Sequence, residues 1–413
     1  MKSIQLLTLL QDIIYDTKTL ITARLRDQAF TRVRKMTFAL TLCFLLDMHK
    51  TTLQTRLNLF FDKTGGGTPI SQQAFSKQRN NFDHSPFETM VRESVNEEYS
   101  GNYELPLWNN LHVFGVDGSY LQLPKVPALA REFGVRGGGD RPSAGISVLF
   151  DVLHGWVLDA VITNTRMNER TECEKHVNFL LQQLPHIAKN SVILLDRGYP
   201  SLDLLKILLD SGIKFLVRCP SSFAVPINNA PIGDSIVTLK NGICVRVIKF
   251  VLSSGEIEVL ATNLFDVPES EFPQLYALRW GVEVAYFKLK QELCVEKFSG
   301  KSPNSIRQDF WASMVLINCV SVFQKEADEA ILKRQKGKPI KHLNRARTSD
   351  LVVTLRNRYI FANLCGYPVI ANFETKAVIK ILARSISSVR PGRSFPRHPA
   401  PYQKNNFNLK SHL

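Results

Sequence analysis

The spacing of hydrophobic and polar residues changes near residue 105, and this change separates two kinds of predicted secondary structure. Before it, apolar residues recur every three or four positions, as in LLTLLQDII, in the apolar run 36–46 and in TTLQTRLNLFF. This spacing predicts amphipathic and buried helices. After it, the short β-branched segments VFGVDG, ISVLFDVL and WVLDAVIT predict strands. We therefore expect a helical N-terminal region followed by a mixed α/β region.

The order of the predicted elements beyond residue 105 indicates one type of sheet. Three strands precede a helix over NERTECEKHVNFLLQQL, a fourth strand over SVILLD and a helix over SLDLLKILLDSG. This is the order of an RNase-H-like α/β sheet, in which the first and fourth strands are adjacent and central. Asp117 is predicted to end the first strand and Asp196 the fourth. Strand-like segments over about 214–262 predict a β-rich insertion before the next helix.

That next helix, YALRWGVEVAYFKLKQEL, places four polar residues on one side. At about 100° per residue, Tyr276, Arg279, Glu283 and Lys290 lie within a stripe roughly 60° wide. Leucine and valine residues occupy the opposite side. A carboxylate beside two cations and a phenol suits phosphodiester chemistry, because the carboxylate can hold a metal and the cations can hold phosphate.

The net charge of +15 is concentrated at one end of the chain. Residues 331–413 contain seventeen Lys and Arg against Asp350 and Glu374, so residues 1–330 are neutral overall. Such a segment indicates a polyanionic partner, and DNA or RNA is favoured over a membrane. The longest apolar run, 36–46, is shorter than the roughly 20 residues that span a bilayer. The region after 326 is predicted to be helical, with an extended Pro-rich end.

Cysteine usage and the first residues indicate a cytoplasmic protein. The seven cysteines are scattered and odd in number, which is typical of a reducing compartment and not of a disulfide or zinc framework. The start, MKSIQLLTLLQDIIYD, carries acids within its apolar stretch and predicts no signal peptide. Histidines show no metal-ligand spacing, and no Ser-His-Asp arrangement is predicted.

Three carboxylates are the candidate catalytic residues: Asp117, Asp196 and Glu283. Two divalent ions held by such a trio would serve phosphoryl transfer, and Mg²⁺ suits oxygen ligands, with Mn²⁺ as a substitute. Each residue has an ordinary alternative. Asp117 could belong to a turn, Asp196 could cap the next helix, and Glu283 could pair with Arg279. Taken together in this order of elements, they favour the metal site.

The segment SQQAFSKQRNNF, which follows TGGGTP, has the spacing of a helix-turn-helix. Its residues Gln72, Gln73, Lys77 and Arg79 are candidate DNA contacts. A helical bundle with a solvated polar helix explains the pattern equally well. The neutral charge of residues 1–330 does not decide between the two interpretations.

These motifs resemble those of the DDE transposases of bacterial insertion sequences, in the branch with the Tyr-Arg-Glu-Lys signature. Tyr276, Arg279, Glu283 and Lys290 match every spacing of that signature. Further similar segments are DGSY at 117, LLDRGYP at 194, ATNL at 261, FSGKSPNSIRQDF at 298 and VRPGRSFPR at 389. The resemblance covers nearly the whole chain.

The resemblance implies a reaction and partners. In that family, residues that match Asp117, Asp196 and Glu283 bind catalytic Mg²⁺, and those that match Tyr276, Arg279 and Lys290 hold DNA phosphate. It implies cut-and-paste transposition: water nicks each element end, the 3′ hydroxyl forms a hairpin that water reopens, and the 3′ hydroxyl joins target DNA. The partners would be the terminal inverted repeats and target DNA, bound by a homodimer in a synaptic complex. The location would be the bacterial cytoplasm, at the nucleoid.

One feature departs from the family pattern. The best-studied branch stacks a flipped base on a tryptophan in the β insertion, but residues 219–262 contain no tryptophan. Trp280 matches another family position near that base and could stack on it. Core packing against Phe287 is the alternative. The hairpin step is therefore less well supported than metal-dependent cleavage.

The predicted organisation has three parts: a helical DNA-binding domain (1–105), an RNase-H-like catalytic domain (106–325), and a basic region for DNA contact and dimerisation (326–413). Two other functions remain open. One is a catalytically silent DNA-binding regulator derived from a transposase, and the other is a nuclease that cuts without joining. The intact carboxylates argue against the first, and the cations of the stripe argue against the second.

Overall fold

The computed structural model describes residues 1–388, apart from 33, 48–49, 66, 102, 138, 253, 338–341, 359–360, 362–363 and 365–367. The predicted extended end, with its VRPGRSFPR motif, lies outside the described residues. The chain divides into two compact units. We call Met1–Met90 with Leu289–Leu413 the helical unit and Val91–Lys288 the sheet unit. The three-part division at 105 and 325 remains a prediction.

The helical unit contains the helices that the N-terminal pattern predicts. They are α1 (Ser3–Tyr15), α2 (Thr17–Ala23), α3 (Phe38–Leu46), α4 (Leu53–Thr64), α5 (Gln72–Arg79) and the start of α6 (Ser85–Ser100). The later part of the chain adds α14 (Pro303–Gln335), β9 (Asn344–Ala346), α15 (Thr348–Asn357), α16 (Pro368–Leu382) and β10 (Ile386–Ser388). No helix among the described residues is long and apolar enough to cross a bilayer.

A buried arginine holds α5 against α14. The guanidinium of Arg79, 1% exposed, donates to Gln308 Oε1 at 2.9 Å and Asp309 Oδ1 at 2.9 Å. It also donates to Ser299 Oγ at 2.8 Å. Although burial alone would raise the pKa of Asp309, Arg79 lowers it, so the pair is ionised inside the unit. The FSGKSPNSIRQDF segment thus has a structural role at this contact.

The sheet unit contains the predicted series of strands and helices. They are β1 (His112–Gln122), α7 (Pro127–Phe133), β2 (Ser143–Asp151), β3 (Trp156–Thr163), α8 (Glu169–Gln183), α9 (Pro185–Lys189), β4 (Ser191–Leu195), α10 (Leu202–Asp210), β5 (Lys214–Arg218), α11 (Val225–Asn229), β6 (Gly233–Thr238), β7 (Cys244–Val251), β8 (Ile257–Thr262), α12 (Phe272–Ala277) and α13 (Trp280–Phe287). The ends of β4 and α10 coincide with the polar residues that follow each apolar run.

One mixed sheet carries all eight strands, in the order β3-β2-β1-β4-β5-β8-β7-β6. β1 pairs antiparallel with β2 and parallel with β4, and β4 is parallel to β5. The predicted adjacency of the first and fourth strands is confirmed. The strands of the predicted insertion, β6 to β8, extend this sheet beyond β5 through antiparallel pairs.

The predicted single helix over YALRWGVEVAYFKLKQEL is interrupted twice, and this part of the prediction was wrong. α12 ends at Ala277, α13 begins at Trp280, and a π-helical turn spans Lys288–Glu292. The backbone N–H groups of Leu278, Arg279, Gly281 and Val282 donate to the carbonyl three residues earlier. This is the hydrogen-bond pattern of a 3₁₀-helix, which is wound more tightly than an α-helix. The uniform 100° step therefore fails across this segment. Leu275, Val282, Leu289 and Leu293 are nevertheless buried, as the pattern predicts.

Five cysteines of the described residues are free: Cys173, Cys219, Cys244, Cys294 and Cys319. Cys43 is disulfide-bonded. The scattered spacing of the cysteines predicts no disulfide framework and does not indicate the bond at Cys43.

Candidate active site

Two aspartates lie side by side where β4 ends. The parallel pairing of β1 and β4 runs to Gly115 opposite Leu194. Continued by two residues, the same register places Asp117 opposite Asp196, on strands that are about 4.8 Å apart. Each carboxylate is oriented by a nearby backbone N–H group. Asp117 Oδ1 accepts a hydrogen bond from Gly118 N at 2.8 Å, and Asp196 Oδ1 accepts one from Gly198 N at 2.7 Å.

The prediction that Asp117 ends its strand was wrong. β1 continues to Gln122, because it stays paired with β2 as far as Ser143 after its pairing with β4 has ended. Asp117 is thus held in a continuing strand. Its carbonyl oxygen accepts a hydrogen bond of 2.6 Å from the hydroxyl of Tyr286. This bond links the backbone of Asp117 directly to α13.

A close helix–strand approach brings Glu283 towards the aspartates. A Cβ atom on Gly115 would lie 2.3 Å from Val282 Cγ2, so only glycine lets α13 pack this near β1. Glu283 follows Val282 directly. Its Oε1 accepts from Arg279 Nη2 at 3.0 Å, and Nη1 of the same arginine lies 4.0 Å from Asp117 Oδ2. The ion-pair alternative for Glu283 is therefore present in this conformation.

Arg279 is the central cation of the site. Its side chain is 12% exposed. The buried Nε atom has no hydrogen-bond partner among the described residues. A buried donor without a partner is unfavourable by about 1–3 kcal/mol, so this atom indicates a place for an anionic ligand. The guanidinium also lies 5.9 Å from the Tyr276 ring and 5.8 Å from the Trp280 ring.

The aromatic residues of the segment differ in exposure. Tyr276 is partly buried, and burial raises its pKa to about 12, so its hydroxyl keeps a proton that it can donate. Trp280 is 50% exposed and Phe287 58% exposed, which does not support core packing of the pair. Lys290 follows in the π-helical turn, at the start of the helical unit.

The carboxylates of the site are held in an unfavourable electrostatic environment. Burial raises the pKa of Asp117 to about 6, and the carboxylate of Asp196 contributes to the rise. Burial also raises the pKa of Glu169, again with a contribution from Asp196. Like charges brought together in a partly desolvated place favour either protonation or a bound cation.

Glu169 is a residue of this site that sequence reasoning missed. It is the first residue of α8, and its carboxylate faces the two aspartates. The NERTE segment predicts only the start of a helix, where an acid is expected for the helix dipole. Proximity of α8 to the ends of β1 and β4 is set by the sheet, so no spacing rule in the sequence points to it.

A buried Ser-His-Asp series of side chains contacts the backbone of β1 at Asp117. Ser147 Oγ lies 3.0 Å from His176 Nε2, and His176 Nδ1 lies 2.7 Å from Asp159 Oδ2. The Ser147 hydroxyl also donates to the carbonyl oxygen of Asp117 at 3.4 Å. Ser147 and His176 are fully buried, so no substrate reaches them and the series has a structural role. Residue spacing in the sequence does not predict this arrangement, because its members come from β2, β3 and α8.

The candidate DNA contacts of α5 have different environments. Gln72, Gln73 and Lys77 are exposed, and their role as DNA contacts stays a prediction. Arg79 was placed on the wrong side of the helix, because its guanidinium is buried and fully engaged with α14 and Ser299. It cannot reach a DNA phosphate in this conformation.

Comparison with known proteins identifies the family. The family description "Transposase DDE domain" matches residues 111–319, just over half of the chain. The chain belongs to this transposase family. The match begins immediately before β1 and ends within α14, so it includes Asp117, Asp196 and the whole Tyr276-to-Lys290 segment.

Two curated relatives of this family come from Escherichia coli K12. The chain is 24% identical over 239 residues to the transposase InsG of insertion sequence element IS4, which covers 52% of each protein. It is 25% identical over 167 residues to the putative transposase InsZ, covering 39% of this chain and 54% of that protein. The chain spans about half the length of the curated relatives it matches.

A solved transposase shares the fold. The cryo-EM structure of the piggyBac transposase synaptic complex with hairpin DNA superposes with a TM-score of 0.51 at 12% sequence identity. The match covers 94% of this chain and 87% of that one. The mixed α/β architecture with one large mixed sheet fits an RNase-H-like transposase fold.

DDE transposases generally use divalent metal ions, and the donor chemistry here fits such an ion. Asp117, Asp196 and Glu169 supply hard carboxylate oxygens from a partly desolvated place. No three His, Cys, Asp or Glu side chains among the described residues already surround a common point. Glu283 in particular is held by Arg279. Side-chain rotation would therefore accompany metal binding.

Proposed function

We propose that this chain is the DNA transposase of a bacterial insertion sequence, in the branch with the Tyr-Arg-Glu-Lys signature. It would carry out cut-and-paste transposition by metal-dependent strand cleavage and transfer of the 3′ hydroxyl. The observation that carries the proposal is Arg279, a largely buried guanidinium with an unpaired Nε, close to Asp117. Asp117 in turn lies on the strand next to the one that ends at Asp196. This combination suits an anionic, metal-bound substrate such as a DNA phosphate.

Asp117, Asp196 and Glu283 are the proposed catalytic residues and metal ligands. Mg²⁺ is the proposed ion, with Mn²⁺ as a substitute, because all donors are carboxylates. When bound, the ions would activate the attacking oxygen and stabilise the leaving one. The two aspartates are positioned by adjacent strands, and Glu283 by the packing of α13 at Gly115.

Arg279 is proposed to exchange partners when DNA binds. In the free protein its Nη2 atom donates to Glu283, which keeps that carboxylate from the aspartates. A phosphate offers the guanidinium two oxygens and can also satisfy Nε. Binding of the scissile region would thus release Glu283 for the metal. Cleavage competence would depend on DNA through this exchange.

Tyr276 and Lys290 are proposed to complete the phosphate contacts of the strand that is not transferred. The protonated phenol of Tyr276 is a hydrogen-bond donor next to Arg279. Lys290 supplies a point charge by the spacing of the signature. Trp280 is half exposed and is proposed to stack on a displaced base during a hairpin step.

The helical unit is proposed to bind the terminal inverted repeats. Gln72, Gln73 and Lys77 lie exposed on α5. Next to α5, a cleft of about 660 Å³ is lined by Asp27 and by three exposed arginines that make no ion pair with a described carboxylate: Arg26, Arg32 and Arg34. Gln78 and Asn81 form the α5 side of this cleft. Guanidinium groups around an open cleft suit the phosphate backbone of a duplex.

Two element ends must be cut in concert, so a homodimer in a synaptic complex is proposed, acting at the nucleoid in the bacterial cytoplasm. The basic region 326–413 would add DNA contacts and dimerisation. The rival functions differ in their products. A silent regulator binds without cutting, and a nuclease cuts without joining.

The test uses a labelled duplex that carries the inverted repeats flanking the gene, incubated with Mg²⁺ or Mn²⁺. Glu283→Gln should abolish cleavage and leave DNA binding intact, because it removes a metal ligand while the amide oxygen still accepts from Arg279. Glu256→Gln is the matched control, since Glu256 is exposed in the β7–β8 turn region. Binding is measured by electrophoretic mobility shift on the same duplex.

The products separate the alternatives. Cuts at the repeat boundary that join to a second duplex support the transposase, and a hairpin product supports the role of Trp280. Cutting without joining would favour the nuclease. Specific binding with no cut by the wild-type protein would favour the silent regulator, and cutting retained by Glu283→Gln would place the metal site elsewhere.

A further inference from the structure

We propose that Glu169 is a fourth carboxylate of this site and helps to hold a divalent cation beside Asp196. The inference rests on the function proposed above, because it adds a residue to the same metal site. Glu169 begins α8, which follows β3 along the chain. It lies outside both aspartate motifs and outside the Tyr-Arg-Glu-Lys signature.

The position of the Glu169 carboxylate is defined by two glycines next to the aspartates. A Cβ atom on Gly198 would lie 2.8 Å from Glu169 Oε2 and 3.1 Å from Asp196 Oδ1. A Cβ atom on Gly118 would lie 3.1 Å from Glu169 Oε1. One carboxylate oxygen thus faces each glycine. A larger residue at position 198 would require the Glu169 carboxylate to shift.

The distance to Asp196 suits a shared cation after a small rotation. The Glu169 and Asp196 oxygens that face Gly198 are no more than about 6 Å apart, since both contact the same point. Two oxygens that share one Mg²⁺ at about 2.1 Å lie within about 4.2 Å of each other. Rotation about the side-chain torsions of Glu169 covers this difference.

The contacts of the described residues do not fix the inward orientation of Glu169, on which Arg170 acts only through its charge. Its carboxylate makes no hydrogen bond or ion pair with any of them, whereas Glu172 on the same helix pairs with Lys175 at 2.8 Å. A helix dipole favours an acid in the first turn by about 0.3–1 kcal/mol, but it favours outward orientations equally. The observed orientation brings Glu169 Oε2 within about 6 Å of Asp196 Oδ1, so the two negative charges repel each other. A cation between the two carboxylates would turn this repulsion into attraction.

The proposal is tested by metal binding to the full-length protein without DNA. Mn²⁺ is titrated into the protein, and free Mn²⁺ is followed by electron paramagnetic resonance. Glu169→Gln keeps the shape of the side chain and should weaken Mn²⁺ binding about 10- to 100-fold. Glu174→Gln, on the same helix, should bind like the wild type. Asp196→Asn serves as the reference for loss of a proposed ligand.

Melting in EDTA distinguishes a metal-holding residue from a structural one. Glu169→Gln should melt at the same temperature as the wild type or higher, because it removes a like charge. A lower melting temperature would assign Glu169 a structural role and overturn the proposal. Wild-type Mn²⁺ affinity in Glu169→Gln, with affinity lost in Asp196→Asn, would also overturn it. If Asp196→Asn itself binds Mn²⁺ like the wild type, the metal site of the proposed function fails instead.

Discussion

Replacing Asp117 with asparagine should stabilise the metal-free protein, although Asp117 is proposed as a catalytic residue. Burial, with a contribution from Asp196, raises the pKa of this carboxyl from its ordinary 3.8 to about 6. Its side chain is 20% exposed, so solvent screens the effect only partly. The folded protein therefore binds this proton more tightly than the unfolded chain does.

The sign and size follow from linkage. Well below pH 3.8 the carboxyl is protonated in both states and has little effect on folding. As the pH rises from about 4 to above 6, the carboxyl ionises at a lower pH in the unfolded chain than in the folded protein. The free energy of unfolding falls over this range, and the loss is complete above pH 6. A pKa raised to about 6 corresponds to about 3 kcal/mol, at about 1.4 kcal/mol for each pKa unit. Asp117→Asn removes this cost, so the free energy of unfolding should rise by up to that amount above pH 6.

The assay is thermal unfolding in EDTA at pH 8 and pH 4.5. At pH 8 the gain should raise the melting temperature of the sheet unit by up to about 10 °C. At pH 4.5 the gain should fall to about 1 kcal/mol, because the carboxyl of the folded protein is then almost entirely protonated. Asp266→Asn, in an exposed loop of the same unit, controls for the chemical change. Added Mg²⁺ should stabilise the wild type more than Asp117→Asn.

Two results would refute this reasoning. An equal gain at both pH values would show that the effect does not come from ionisation. A lower melting temperature for Asp117→Asn at pH 8 would show that the carboxylate is stabilised in the free protein, and the electrostatic argument for a cation site would then fail.

Two further predictions concern the helical unit and the basic end of the chain. Arg79→Ala should lower the free energy of unfolding by about 3–5 kcal/mol, because the largely buried Asp309 would lose the guanidinium that lies 2.9 Å from it. Chemical denaturation measures this, with Lys77→Ala as the exposed control; an unchanged stability together with abolished DNA binding would restore Arg79 as a residue that binds DNA. Truncation after Ser388 removes five Lys and Arg and should flatten the salt dependence of DNA binding, by about 0.9 in log–log slope for each phosphate that the protein no longer neutralises. An unchanged slope in a filter-binding titration would remove residues 389–413 from the DNA interface.

The position of that truncation follows from packing. Residues 331–413 carry the whole excess charge, but Leu351, Val352 and Leu355 are buried. Deletion from residue 331 would expose the core of the helical unit, and weak DNA binding would then report unfolding. Charge along the sequence indicated the partner, whereas burial shows which of these residues can be removed.

The sequence by itself determined the order of strands and helices around the site and the adjacency of the aspartates. Short apolar runs that end in an acid predict β4 and its Asp196, and the order of strands and helices predicts that β1 lies next to β4. These features are local or follow from few possible topologies. The spacing of the four signature residues that begin at Tyr276 is also read directly from the sequence.

Only the tertiary structure decided which side chains meet. The end of β1 depends on β2, which keeps pairing after β4 has stopped. The orientation of the Arg79 side chain depends on α14, which lies more than 200 residues away in the sequence. The periodicity of α5 could not show that Arg79 forms a buried ion pair with Asp309. Glu169 lies beside Asp196 where Gly198 leaves room for its carboxylate. Such contacts join residues distant in sequence, so their geometry arises from packing and not from local pattern.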